Sequence, residues 1–138
     1  MNTCGKITEF LLWLLLTVGI VMVSLTPSPV IPESIILRSD KVSHFLAYMV
    51  LAGWTFLASG TFIQKGEKKD LKRWIFAVLY GTVLGGAMEL LQPYFGRTMS
   101  FMDFVADIAG SIAGATLGII VLRSYLALVI TRADTINK

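Results

Sequence analysis

Charge is what this chain has least of. Acidic and basic residues make up only 15% of its 138 residues, against 55% apolar ones, and a soluble domain of this size needs a more highly charged surface. Cysteine is nearly absent. Cys4 stands alone, which excludes a disulfide framework, and it lies ahead of the first apolar run, the wrong place for a lipoprotein cysteine. There is also a single histidine, His44, and one histidine with several carboxylates is not a strong zinc signature. No Gly-x-Ser-x-Gly, no Cys/His pair placed to share one site and no phosphate-cradling glycine loop occurs, so a carboxylate is the one covalent nucleophile on offer. No internal repeat, low-complexity segment or cofactor motif is present.

What is there is apolar and comes in blocks: roughly Ile7–Leu25, Val42–Ile63, Leu71–Leu91 and Asp103–Leu122. Each matches the ~20 residues with which a helix crosses ~30 Å of hydrocarbon. The blocks show no period-2 alternation, and in lipid only a helix or a closed barrel satisfies its own backbone, so helices are expected. The reading is one all-α domain over residues 1–138, a four-transmembrane-helix bundle. The first block resembles a signal peptide but ends in "MVSLTPSPV", without a cleavage site, so an uncleaved helix is expected.

Lysine and arginine set the orientation. Nine of the twelve (Lys6, Lys65, Lys68, Lys69, Lys72, Arg73, Arg123, Arg132 and Lys138) fall on one side of this arrangement, and three (Arg38, Lys41 and Arg97) on the other. The positive-inside rule then puts both termini in the cytoplasm. Topology and anionic headgroups account for the basic loop, and no nucleic-acid partner is implied. On the outer side five acids face three bases, a balance of −2 with His44 neutral.

Helix ends follow from local chemistry. Pro27, Pro29 and Pro32 stop the first helix, and "ESIIL" is expected to lie in the interface. Ser39 or Asp40 can cap the second helix. Pro93 and Gly96 end the third. Ser100 and Asp103 form a capping-box variant before the fourth. Gly81 and Gly85 on the third helix, and Gly110, Gly114 and Gly118 on the fourth, are spaced by four. Such stripes let helices approach closely, within the chain first and between two copies second.

The polar residues inside the blocks share one end. Asp40, Lys41, His44 and Tyr48 open the second helix; Glu89 and Gln92 close the third; Arg97 follows; Asp103 and Asp107 open the fourth. Antiparallel helices bring all of these to the outer leaflet. Asp40, His44 and Tyr48 form one stripe, and Asp103 and Asp107 share a face with the glycines. Turning a charge into lipid costs a few kcal/mol even on lenient scales, so the stripes are expected to converge in one outward cleft with Tyr48 as its floor.

These residues also carry a family resemblance. "SLTPSPVIP…SDKVSHFLAY" followed by "GGAMELLQPYFGRTMSFMDFVADIAGSIAG" resembles the VanZ family of small membrane proteins. The shared pattern is an Asp-Lys-x-x-His-Phe-x-x-Tyr start, then Glu-x-x-Gln, Arg and Asp ahead of glycines. Here these are Asp40, Lys41, His44, Phe45, Tyr48, Glu89, Gln92, Arg97 and Asp103. The chain departs at Asp107, where the family usually has Asn. The resemblance implies the architecture and, through the member that names the family, a link to glycopeptide antibiotic resistance; it brings no reaction with it.

Two classes of function stand open. The first is a binding or accessory protein for a lipid headgroup, a lipid-linked envelope precursor or a partner protein. A cation held by His44 and the acids is compatible with the negative outer balance. The second is an enzyme on a lipid-linked envelope substrate. There His44 is general acid or base, Asp40, Glu89 or Asp103 assists it, and Lys41 and Arg97 hold a phosphate or carboxylate, with Tyr48, Gln92 and Asp107 as further ligand contacts. A proton-coupled transporter fits less well, since four helices are few for that task.

Overall fold

The structure is a computed structural model that describes residues 3–27, 33–61, 63 and 68–136. Every regular element among them is helical: α1 (Thr3–Leu25), α2 (Glu33–Ala58), α3 (Lys69–Leu91) and α4 (Phe101–Ile136), with short 3-10 turns at Ser59–Thr61 and Gln92–Phe95. Residues 28–32, with Pro29 and Pro32, and the basic residues Lys65 and Lys138 lie outside the described residues.

Among the described residues three helices have segments long and apolar enough to cross a membrane: Gly5–Leu25, Lys69–Phe95 and Phe101–Val129. Of the four expected, α2, whose first half carries Asp40, Lys41 and His44, is a long helix but does not reach that apolar length. The same helix is the most enclosed, in contact with each of the other three. Its Tyr48, Leu51, Ala52, Thr55 and Phe56 are all buried. A helix surrounded by other helices needs less apolar surface than one facing lipid.

The distribution of polarity supports a lipid environment. Leu15, Met22 and Val23 of α1, Leu79 and Val83 of α3, and Ile120 and Val121 of α4 point outward and exposed, while Thr55, Gln92, Asp107 and Ser111 are fully buried. A water-soluble domain has the reverse arrangement.

α2 begins at Glu33, well before the expected Val42. Its apolar run starts late, but the helix does not. "ESIIL" is therefore the first turn of α2 rather than a separate interfacial stretch, and neither Ser39 nor Asp40 is a cap. His44 lies about three turns inside the helix. α4 likewise continues past Leu122 to Ile136. After α3, Pro93 sits in the 3-10 turn and Gly96 adopts a left-handed φ of 75°, which turns the chain towards α4.

The glycine stripe of α4 faces α2. A Cβ at Gly110 would overlap the Phe45 carbonyl oxygen, and one at Gly114 the Met49 carbonyl oxygen. The two backbones thus touch, which only glycine permits, and this close packing within the chain fixes the register of α4 against α2.

Arg73 has a role its place in the basic loop did not suggest. It is buried against the end of α2 and donates from Nε and Nη2 to the Phe56 carbonyl at 3.1 and 2.8 Å, and from Nη2 to the Leu57 carbonyl at 3.2 Å. Its guanidinium also lies 4.4 Å from the Phe56 ring centroid. It satisfies carbonyls that the C-terminus of a helix leaves without partners, instead of reaching to lipid headgroups.

Candidate functional site

The register set by Gly110 and Gly114 places Asp107, one turn before Gly110, opposite His44. Asp107 Oδ1 lies 2.9 Å from His44 Nδ1, and both side chains are buried. Asp107 is accommodated because α3 presents Gly85 there; a Cβ on Gly85 would come within 2.6 Å of Asp107 Oδ2. The site is thus built by three helices, with α2 supplying the ring, α4 the carboxylate and α3 the space.

Around this pair the remaining polar groups close in. Asp40 Oδ1 is 3.8 Å from His44 Nε2, on the far side of the ring from Asp107. Glu89 Oε1 is 4.0 Å from Nδ1. Tyr48 lies one turn deeper on α2, its ring within 7° of parallel to the imidazole and 6.5 Å away between centroids. It forms the expected floor, and its hydroxyl has no hydrogen-bond partner among the described residues.

Arg97 joins α1 to this cluster. Its Nη2 donates to both Asp40 carboxylate oxygens, at 3.2 and 3.1 Å, and its Nη1 donates to the Ser24 carbonyl at 3.2 Å. Lys41 lies 3.9 Å from Asp103 Oδ1. The two bases therefore each pair with an acid, and Arg97 also ties α1 to α2 through Ser24 and Asp40.

The start of α4 differs from the expected capping box in one respect. Ser100 does cap, its Oγ accepting from the Asp103 amide at 3.3 Å. The reciprocal acceptor for the Ser100 amide is Glu89 Oε2 at 2.8 Å, from α3, while the Asp103 side chain turns to Lys41. With the Gln92 amide turned over, so that its nitrogen rather than its oxygen faces these acceptors, it donates to the same Glu89 oxygen at 3.3 Å and to the Thr98 carbonyl at 3.2 Å. Glu89 is held by the backbone it caps rather than by Arg97 or Lys41.

The nine candidate residues thus come together at one end of the bundle, centred on His44. Asp107, read from sequence as a ligand contact, is the direct partner of His44. Ser24, Gly85 and Ser100 belong to the site as well. Ser24 contributes a backbone carbonyl, which leaves no mark in a sequence, Ser100 its amide beside the capping hydroxyl, and Gly85 the lack of a side chain.

The cluster opens into a cavity of about 650 Å³ between α1 and α2. Its walls are apolar, with Leu12, Leu16 and Gly19 from α1 and Ala47 and Trp54 from α2. Asp40, His44 and Arg97 form its polar end. Two polar contacts hold α1 on the other side of this space: Trp13 Nε1 donates to Thr55 Oγ1 at 3.1 Å, and Thr17 Oγ1 is 3.0 Å from the Tyr80 hydroxyl. At Gly19 an added methyl would meet nothing within 4 Å. The result is a long apolar groove with a charged head.

Comparison of the chain with protein-family models, with curated proteins and with solved structures returns no match.

Proposed function

We propose that this is a bacterial inner-membrane protein of the VanZ type that binds a lipid-linked envelope ligand. The apolar chain lies in the groove between α1 and α2, and the headgroup meets Arg97, Asp40 and His44. The observation that carries this reading is the groove, apolar along its length and polar at one end. A ligand with one long chain and one polar group has that same division. In this reading all four helices span, α2 shielded by its neighbours, and both termini are cytoplasmic, as the nine-to-three split of lysine and arginine supports. The polar cluster then faces the envelope, where the ligands of glycopeptide resistance are found.

The test is lipid retention. Protein extracted in mild detergent is examined by native mass spectrometry. A retained lipid is expected on the parent and absent from Gly19→Trp, which fills the groove, and from Arg97→Gln, which weakens the head. Equal retention by all three proteins refutes the reading.

A second reading rests on the His44–Asp107 pair. A carboxylate on one ring nitrogen holds the imidazole in place and leaves the other nitrogen to move a proton. The protein would then act on its lipid as an acid–base enzyme. Product release from envelope lipids by the parent protein, abolished in His44→Ala, separates turnover from binding.

A further inference from the structure

We propose that His44, Glu89 and Asp107 together bind a divalent metal ion of the Mn2+ or Zn2+ class. Their donor atoms, one imidazole nitrogen and two carboxylate oxygens, lie within 4.8 Å of one another. Ligands about 2.0–2.3 Å from a common ion sit roughly 3–4.5 Å apart, so small side-chain adjustments close the site. The three residues come from α2, α3 and α4 and are all buried.

Proximity of acids alone does not make a site; the orphaned atoms do. Glu89 is 4% exposed and Asp107 is 0% exposed, yet Glu89 Oε1 and Asp107 Oδ2 have no hydrogen-bond partner among the described residues. Buried polar atoms are nearly always paired, and an unpaired one calls for an explanation. Glu89 Oε1 faces His44 Nδ1 across 4.0 Å, beyond hydrogen-bond reach. An ion between them gives Glu89 Oε1 a partner, and Asp107, whose Oδ1 lies 2.9 Å from the same nitrogen, is placed to share it.

The distribution of charge selects this group over its neighbour. Asp40, His44 and Asp103 also lie close together. There, however, Arg97 pairs with Asp40 and Lys41 with Asp103. Among the described residues Glu89 and Asp107 have no lysine or arginine within ion-pair distance, only His44. Two buried carboxylates served by one imidazole are short of positive charge, which a divalent ion supplies.

The surroundings also fit. When Nδ1 ligates, the opposite nitrogen bears the proton and faces Asp40, and metal-bound histidines commonly donate to such a carboxylate. One imidazole with two carboxylates suits Mn2+ or Zn2+ better than thiol-seeking ions. The inference does not depend on what fills the groove.

The experiment uses the full-length protein in detergent, stripped with chelator and titrated with MnCl2 and ZnCl2 by calorimetry and thermal unfolding. One ion per chain with a raised Tm is expected for at least one of the two metals. Glu89→Gln and Asp107→Asn are each expected to weaken it at least tenfold, while Asp70→Asn, remote from the cluster, keeps it. An amide variant that failed to fold would give no answer, so pulsed EPR of the Mn2+-loaded parent is read as well, with a coupling to one directly bound nitrogen expected. Absence of saturable binding by both ions, unchanged affinity in both amide variants, or bound Mn2+ without a nitrogen overturns the proposal. Lipid retention is a separate measurement, so failure here and failure of the groove reading are distinguishable.

Discussion

Asp107 Oδ1 lies 2.9 Å from His44 Nδ1 although 63 positions separate the two residues in the chain. The contact depends on glycine. Gly110 and Gly114 bring α4 onto the backbone of α2, and Gly85 leaves room on α3 for the carboxylate. Geometry at the pair therefore reports on packing a full turn or more away.

Asp107→Asn preserves an oxygen that can accept from the His44 ring and is expected to fold with little loss of stability. Asp107→Ala leaves a buried N–H without an acceptor, which costs about 1–3 kcal/mol. Thermal unfolding in detergent should show Tm lower by several degrees for the alanine variant and near the parent value for the asparagine one. Equal Tm for all three would mean that the pair is not formed.

Glu89 accepts from the Ser100 amide and thereby caps α4 from another helix. Glu89→Gln retains the oxygen for that bond; Glu89→Ala does not, and removing such a cap costs about 0.5–2 kcal/mol. Hydrogen exchange at the first turn of α4 is expected to quicken in Glu89→Ala only. Parent-like protection in both variants would remove Glu89 as the acceptor.

Arg73 presents two nitrogens to the carbonyls that end α2. A lysine has the charge but not the planar fork, so Arg73→Lys is expected to lose most of the stability that Arg73→Ala loses, about 1–3 kcal/mol. Full rescue by lysine in a melting experiment would show that charge alone matters there.

Two glycines should respond oppositely to the same change. Gly114→Ala forces a methyl onto the Met49 carbonyl oxygen, whereas Gly19→Ala meets open space. The first is expected to lower Tm sharply. The second should be neutral or raise stability by about 0.5–1 kcal/mol, because alanine loses less backbone entropy in a helix. Similar Tm changes in the two would argue against direct contact of the α2 and α4 backbones.

Topology is open to a direct check. With both termini cytoplasmic, a C-terminal tag is labelled only after the cells are permeabilised. Labelling from outside intact cells would invert the arrangement and turn the polar cluster towards the cytoplasm.

Much of this molecule follows from the one-dimensional order of its residues. Long apolar blocks dictate helices because the backbone has no other way to satisfy itself in lipid. Pro93 and Gly96 end α3 through their own backbone geometry. The gathering of Asp40, His44, Glu89 and Asp103 at one end follows from antiparallel order and the cost of exposing charge to hydrocarbon. The start of α2 at Glu33 was hidden because hydropathy marks where a helix becomes apolar, not where its hydrogen bonds begin. Tertiary structure alone decided the partners. Asp107 rather than Asp40 became the close neighbour of His44, because the contact of Gly110 and Gly114 with α2 sets how far α4 slides along it. Glu89 joined a backbone amide instead of a base, since Arg97 was drawn to Asp40 and Ser24. Arg73 left the charged loop for the end of α2, where unpaired carbonyls lay within reach. Each choice turned on a distance of a few ångströms between helices, and the spacing of residues along a chain carries no such distance.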